Sequence, residues 1–164
     1  MNRSLDAILR RIVARSFPEL KRHRIAIRFG ELDRDTCFFY CQEAGRYRIT
    51  VSNCLRPAPP RVLEGGIAHE LSHILQDSRL GRWQRELAFE RYSRSAVYRM
   101  RDERRTDLRQ LGLGYGPQLL AFLSYAKTLG FRFTREDGLL RGEISRRLYM
   151  QTGAAAAYNR ESSR

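Results

Sequence analysis

The segment that most restricts how this chain folds is "GGIAHELSHILQ", residues 65–76. It is largely apolar, yet it holds two of the chain's three histidines, His69 and His73, four positions apart. Pro60 is well placed to begin a helix that runs to about Asp77, because proline is tolerated in the first turn of a helix. The side opposite the histidines is apolar and predicts a helix anchored in the core, through Leu63, Ile67, Leu71 and Ile74.

The spacing of the two histidines predicts a metal site. Residues four apart on a helix lie almost one above the other, so both imidazoles face one point, as two ligands of a tetrahedral zinc ion require. Glu70 is too short and too displaced to be a third ligand, but it can reach a water molecule at the metal. Gly65 and Gly66, one turn before His69, leave room on the side of the helix that faces the metal. We therefore predict one Zn²⁺ per chain, since two histidines without a partner in these apolar surroundings would be costly.

The third ligand is predicted to be a carboxylate. No histidine follows His73, and the remaining one, His23, precedes the predicted strands. The stretch "RDERRTD", residues 101–107, supplies Glu103 and Asp107, the only Glu-x-x-x-Asp pair downstream of the histidines. One turn apart, Glu103 faces inward as a ligand and Asp107 accepts a hydrogen bond from a ligand imidazole, which fixes the tautomer of that histidine. The alternative is an ordinary salt-bridged helix face.

The pattern along the chain predicts an α+β domain. The predicted elements are an amphipathic helix in residues 1–17, a strand at 24–32, a hairpin of 36–43 and 46–53, and helices at 60–77, about 85–110, 117–129 and about 142–151. Residues 130–140 are predicted to form a short hairpin or loop. We predict a single domain over residues 1–152 and a flexible C-terminal tail over 153–164.

The site residues resemble those of a known family, the gluzincin metallopeptidases, which carry HExxH on one helix and ExxxD on a later one. "ERRTDLRQLGLGYGPQLLAFLSYAKTLG" is similar to the segment around the ligand glutamate in HtpX-like and CAAX-protease-like peptidases. The resemblance implies a zincin-like fold, zinc ligands at His69, His73 and Glu103, a general base at Glu70, and support of a ligand by Asp107. The membrane-spanning segments of HtpX are missing, so the resemblance implies a minimal soluble version.

The activity that this resemblance implies is zinc-dependent hydrolysis of peptide bonds, with Glu70 as the general base. The strand "YRITVSN" is predicted to be the edge against which a peptide or protein substrate adds as a further strand. The oxyanion-stabilising group stays open among Tyr115, Tyr149 and Arg141. Asp77, four residues after His73, either holds the second imidazole or is a polar residue at the helix end.

The sequence is also compatible with two other functions. "ITVSN…AHELSHIL" also resembles the ImmA/IrrE group, soluble gluzincins that cleave transcription repressors. A non-catalytic zinc-binding module that binds nucleic acid or protein is the second alternative. The intact Glu70 argues against that alternative, because a purely structural metal site has no use for a base.

The charge of the chain suggests a polyanionic partner. The net charge is +13, from 31 Lys+Arg against 18 Asp+Glu. Four arginines with Tyr98 among them form a stripe on the predicted helix 85–110, namely Arg91, Arg94, Arg101 and Arg105. The alternative is a solvated helix face, and no nucleic-acid-binding motif supports the stripe.

The cellular compartment is predicted from cysteine usage and from the apolar segments. The three cysteines, Cys37, Cys41 and Cys54, form no CxxC pair, which favours free thiols in a reducing cytosol. No apolar run reaches the roughly 18 residues that a membrane span needs, and the N-terminus lacks the apolar core of a secretion signal. We therefore predict a soluble, cytoplasmic protein.

Overall fold

The structure is a computed structural model that describes residues 5–161, with side chains described to residue 151. Over this range the chain forms an α+β fold of six helices and a three-stranded mixed sheet, which confirms the predicted class. The elements are α1 Leu5–Ser16, β1 Arg24–Gly30, β2 Phe38–Glu43, β3 Arg46–Ser52, α2 Pro60–Asp77, α3 Arg82–Arg94, α4 Ala96–Gly112, α5 Gly116–Thr128 and α6 Arg141–Glu161.

The strand order of the sheet is β1-β3-β2. β2 and β3 form the predicted hairpin, and Ala44 and Gly45 turn it with positive φ angles of 48° and 75°, as a two-residue hairpin turn requires. β1 pairs with β3 in parallel, with Ile27 opposite Ile49. β3 therefore has a partner on both sides, and the prediction that "YRITVSN" is the edge strand is wrong. The edge strand next to the candidate site is β2.

The core lies between the sheet and the helices α1, α2 and α5. The apolar side of α2 is buried as predicted, since Leu63, Ile67, Leu71 and Ile74 are at most 6% exposed. The two glycines of α2 allow other elements to approach closely. A Cβ on Gly65 would overlap the backbone carbonyl of Gln118 in α5, and a Cβ on Gly66 would overlap the ring of Phe38. α2 is thus fixed against both α5 and β2.

The prediction of one long helix at 85–110 is wrong, because this segment forms two helices, α3 and α4. The chain turns at Ser95, whose backbone is extended, with φ −125° and ψ 107°. The Ser95 hydroxyl oxygen accepts a hydrogen bond from the Tyr98 amide at 3.2 Å and so caps the start of α4. The predicted arginine stripe is divided by this break, because Arg91 and Arg94 lie on α3 whereas Arg101 and Arg105 lie on α4.

The C-terminal part also differs from the prediction in its bounds. Residues 130–140 contain a short 3-10 turn at Arg135–Asp137 and no strand. α6 begins at Arg141, as expected, but ends at Glu161 rather than near residue 151. The helix therefore includes most of the segment predicted as a tail, and residues 162–164 lie outside the described range. Among the described helices, none has the length and apolar character needed to cross a membrane.

Candidate metal centre

The ligand atoms of His69, His73 and Glu103 converge on one point between α2 and α4. The two Nε2 atoms of His69 and His73 are 3.1 Å apart. Glu103 Oε2 lies 3.0 Å from His69 Nε2 and 3.4 Å from His73 Nε2. Three ligands at 2.0–2.1 Å from a tetrahedral zinc ion stand about 3.4 Å apart, so these separations suit such an ion. The donor set, two imidazoles and a carboxylate, suits it as well.

Hydrogen bonds between the facing sides of α2 and α4 fix the position of one helix relative to the other. Gln110 donates to the Gly65 carbonyl at 2.7 Å, and Gln76 donates to the Thr106 hydroxyl at 3.1 Å. Arg109 donates to the Ser72 carbonyl at 3.3 Å. These bonds are spread over successive turns of α2, so the two helices are fixed against each other on both sides of the histidines.

Asp107 lies where the one-turn offset from Glu103 predicts. Its Oδ1 is 3.0 Å from His69 Nδ1, the ring nitrogen on the side away from the cluster. Its Oδ2 accepts a hydrogen bond from the Leu139 amide at 2.7 Å. The residue is 3% exposed. Asp107 therefore orients the His69 ring and is itself oriented by the loop before α6.

Asp102 faces the second histidine, and sequence reasoning missed it. Its Oδ2 lies 3.4 Å from His73 Nδ1, and the Thr106 hydroxyl lies 3.3 Å from the same nitrogen. Asp77, one of the residues considered for this position, instead accepts a hydrogen bond from the Tyr40 hydroxyl at 2.8 Å. The signal in the sequence was the four-residue spacing of Asp102 and Thr106, which repeats that of Glu103 and Asp107.

The charges of the site favour a cation between the helices. Burial opposes the ionisation of Glu103, but hydrogen bonds from His69 and His73 hold its pKa far below the ordinary value. Burial likewise opposes protonation of His73, but Asp102 and Glu103 raise its pKa to about 9. In the metal-free site the acidic groups are thus balanced by protons on the imidazoles. A metal ion has to displace those protons, so its affinity increases with pH.

Glu70 stands beside the cluster. It is 7% exposed and lines the same cavity as the two histidines. Burial raises the pKa of Glu70 above its ordinary value, while the neighbouring His69 and His73 oppose that effect. A buried carboxylate with a raised pKa, next to a candidate cation site and open to a cavity, is chemically able to act as a general base.

Tyr92 reaches the cluster from α3 and was not predicted. Its hydroxyl donates a short hydrogen bond to Glu103 Oε1, so that Oε2 is the oxygen that faces the histidines. No signal in the sequence indicated this contact, because it depends on the turn at Ser95 that folds α3 back along α4.

The three residues considered for oxyanion stabilisation do not line the cavity. Tyr115 is 7% exposed and its hydroxyl lies 3.0 Å from that of Ser16, at the end of α1. Arg141 lines a separate groove between α5 and α6. Tyr149 is 78% exposed. In this arrangement none of the three is placed to contact a group bound at the cluster.

The cavity next to the cluster has a volume of about 570 Å³ and is bounded by β2, α2, α3, α4 and α5. The backbone edge of β2 forms one wall. Another wall is apolar and consists of Phe38, Leu119, Phe122, Leu123 and Phe133. The cavity therefore offers a strand edge, an apolar recess and a polar centre within one space.

Comparison of the chain with protein families, with curated proteins and with solved structures gave no match. The resemblance to gluzincins therefore stays a prediction that the geometry of this site must support by itself.

Proposed function

We propose that this protein is a zinc-dependent metalloendopeptidase with a zincin-like fold. The observation that carries the proposal is the convergence of His69, His73 and Glu103, whose ligand atoms all lie within 4.8 Å of one another. Glu70 stands beside them on the wall of the same cavity. A metal-binding set with an adjacent buried carboxylate and a free strand edge is the combination that hydrolysis of an extended peptide requires.

His69, His73 and Glu103 would hold the metal ion in this proposal. Zinc, when bound, supplies Lewis acidity and lowers the pKa of water towards neutrality. Asp107 and Asp102 would each accept a hydrogen bond from the outer nitrogen of one imidazole, which would leave both Nε2 atoms free as ligands. Tyr92 holds the other oxygen of Glu103 and orients that carboxylate.

The proton transfers fall to Glu70. It accepts a proton from the attacking water and passes it to the leaving amine, a role to which the raised pKa of this buried carboxylate is suited. An extended substrate would pair with the free edge of β2, because β2 has only β3 as a partner among the described strands. The apolar wall formed by residues such as Phe122 and Phe133 would receive a large apolar side chain of the substrate.

The test combines metal analysis with an unbiased peptide-cleavage screen. The purified protein is expected to contain one zinc per chain and to cleave peptides. The Glu70→Gln variant should keep the zinc and the melting temperature but lose cleavage by about 10²–10⁴-fold, since the amide cannot accept the proton. A Gln variant that cleaves as well as the wild type would remove Glu70 from the mechanism.

Glu103→Gln tests the third ligand. The variant should lose most of its zinc affinity, whereas the matched variant Glu86→Gln, at an exposed position on α3, should not. If the wild-type protein binds zinc but cleaves no peptide in a broad library, it is a zinc-binding module and not a peptidase. Full zinc affinity in Glu103→Gln would exclude Glu103 as a ligand.

A further inference from the structure

The outer face of the sheet, turned away from α1 and α2, is rich in arginine. Side chains alternate along a strand, and Ile27 and Ile49 point into the core, so their neighbours point outward. The strand register places the outward residues in three rows across β1, β3 and β2, which are Arg24–Arg46–Glu43, Ala26–Arg48–Cys41 and Arg28–Thr50–Phe39. We call these nine residues the outer sheet face.

Most of the positive charge on this face is not neutralised. Arg48 pairs with Glu43 at 2.6 Å. Arg24, Arg28 and Arg46 are exposed and have no hydrogen bond or ion pair with any residue that the structure describes. Arg24 lies directly opposite Arg46, an arrangement of like charges that destabilises a sheet. An anion bound across the two strands would turn this repulsion into attraction.

We propose that the outer sheet face binds single-stranded nucleic acid. Guanidinium groups bind phosphate oxygens through two parallel hydrogen bonds, and the chain is almost free of lysine, with only Lys21 and Lys127. Phe39 is 49% exposed in the same row as Arg28 and offers a ring on which a base stacks. Backbone-binding cations beside a stacking ring are the features that single strands require.

The shape of the surface distinguishes this partner from other polyanions. The major groove of a duplex admits a helix or a two-stranded ribbon, whereas the outer sheet face has three paired strands, and single strands lie along sheet surfaces. A lipid surface is bound by a face that inserts several apolar residues, whereas Phe39 is the one large apolar side chain of the outer sheet face. Single-stranded nucleic acid is therefore the partner that its chemistry fits best.

The outer sheet face and the candidate metal centre lie on opposite sides of β2. Tyr40 points inward and stacks on His73, with 5.8 Å between ring centroids, while the adjacent Phe39 points outward. Phe39 and Cys41 line the cavity at the edge of β2, but Arg24, Arg28 and Arg46 do not. Binding is consequently independent of the metal and of Glu70, and it can be tested whether or not the protein is a peptidase.

The experiment is a fluorescence-anisotropy titration of a labelled 20-nucleotide oligo(dT) at several salt concentrations. The variant Arg24→Ala/Arg28→Ala/Arg46→Ala should raise the Kd at least tenfold. It should also reduce the slope of log K against log salt by about 2, at roughly 0.7 for each phosphate that is no longer neutralised. Phe39→Ala should raise the Kd by about tenfold, because the base has no ring on which to stack. The melting temperature should not fall, because the removed arginines repel one another.

A matched triple variant removes the same charge elsewhere, at Arg101, Arg146 and Arg147 of α4 and α6, which are exposed and unpaired within the described part of the chain. It should change the Kd less than threefold.

Equal losses of affinity in the two triple variants would overturn the proposal. A wild-type protein that does not bind the oligonucleotide at 50 mM salt would also overturn it. Competition for the oligonucleotide site by vesicles of phosphatidylcholine and phosphatidylserine, at equal or better affinity, would overturn it in favour of a lipid surface. If Arg24→Ala/Arg28→Ala/Arg46→Ala misfolds, the double variant Arg24→Gln/Arg46→Gln is measured in its place. It should raise the Kd for the oligonucleotide at least threefold, and a smaller increase would overturn the proposal.

Discussion

His69 and Asp107 are joined across the two central helices, with His69 Nδ1 3.0 Å from Asp107 Oδ1. The contact leaves His69 Nε2 directed at Glu103 and His73, where the candidate metal site lies. Asp107 also accepts a hydrogen bond from the Leu139 amide, so one carboxylate couples the metal site to the loop before α6. The geometry of the site thus depends on contacts outside the three ligands.

Asp107→Ala should weaken zinc binding by about 10–100-fold, because the His69 ring loses the group that fixes its tautomer and orientation. The Leu139 amide also loses its acceptor, which should lower the free energy of unfolding by about 1–3 kcal/mol. Zinc affinity measured with a competing chelator, together with chemical denaturation, separates the two effects. An unchanged zinc affinity in a folded variant would contradict the role of Asp107.

Tyr92→Phe removes a single hydroxyl and tests whether α3 takes part in the site. The variant should weaken zinc binding several-fold, since Glu103 Oε1 loses a charge-assisted hydrogen bond and the carboxylate is less well oriented. The matched control is Tyr98→Phe, whose side chain lines the same cavity without contacting Glu103 through a hydrogen bond. Equal zinc affinities of the two variants would show that the Tyr92 hydroxyl has no effect.

Glu143 predicts a defined change of stability with pH. It accepts hydrogen bonds from Arg104 at 2.7 and 3.1 Å and from the Leu140 amide at 2.9 Å, and these lower its pKa from 4.5 to about 2. Because the folded pKa is the lower one, the stabilisation is complete above about pH 4.5 and is lost as the pH falls towards 2. The side chain is 37% exposed, so solvent screening limits the contribution to about 1 kcal/mol.

The measurement for this prediction is the free energy of unfolding of wild type and Glu143→Gln between pH 2 and 7. The variant should be less stable by up to about 1 kcal/mol at pH 7, and the difference should vanish near pH 2. The control is Glu86→Gln, whose ion pair with Arg82 joins two exposed side chains and contributes little. A difference that is constant over the whole range would exclude the ionised Glu143 as its cause.

The sequence was sufficient to predict the parts of the fold and site that depend on local periodicity. α2 was predictable because its apolar residues recur at helical spacing, and the same spacing brings His69 and His73 together. The positions of Glu103 and Asp107 followed from the one-turn rule on α4. The hairpin of β2 and β3 followed from alternation around Ala44 and Gly45.

Features that depend on distant contacts were not predictable. The place of β3 in the centre of the sheet is set by its pairing with β1, which no local pattern encodes. The turn at Ser95 follows from one capping hydrogen bond within a run of strong helix formers, and the contact of Tyr92 with Glu103 depends on that turn. Gly66 was expected to leave space for a metal ion, but the ring of Phe38 occupies the space beside it.

Gly138 gives a test of how strongly the loop before α6 controls the metal site. Its φ of 123° is strained for any other residue, and a Cβ there would overlap Asp107 Oδ2. Gly138→Ala should therefore lower the melting temperature and also weaken zinc binding by about tenfold or more, through displacement of the carboxylate that orients His69. The matched control is Gly114→Ala, which has a φ of 85° but open space around the added methyl group. It should lower the melting temperature through backbone strain alone and leave zinc affinity unchanged. If the two variants bind zinc equally well, the loop does not act on the metal site through Asp107.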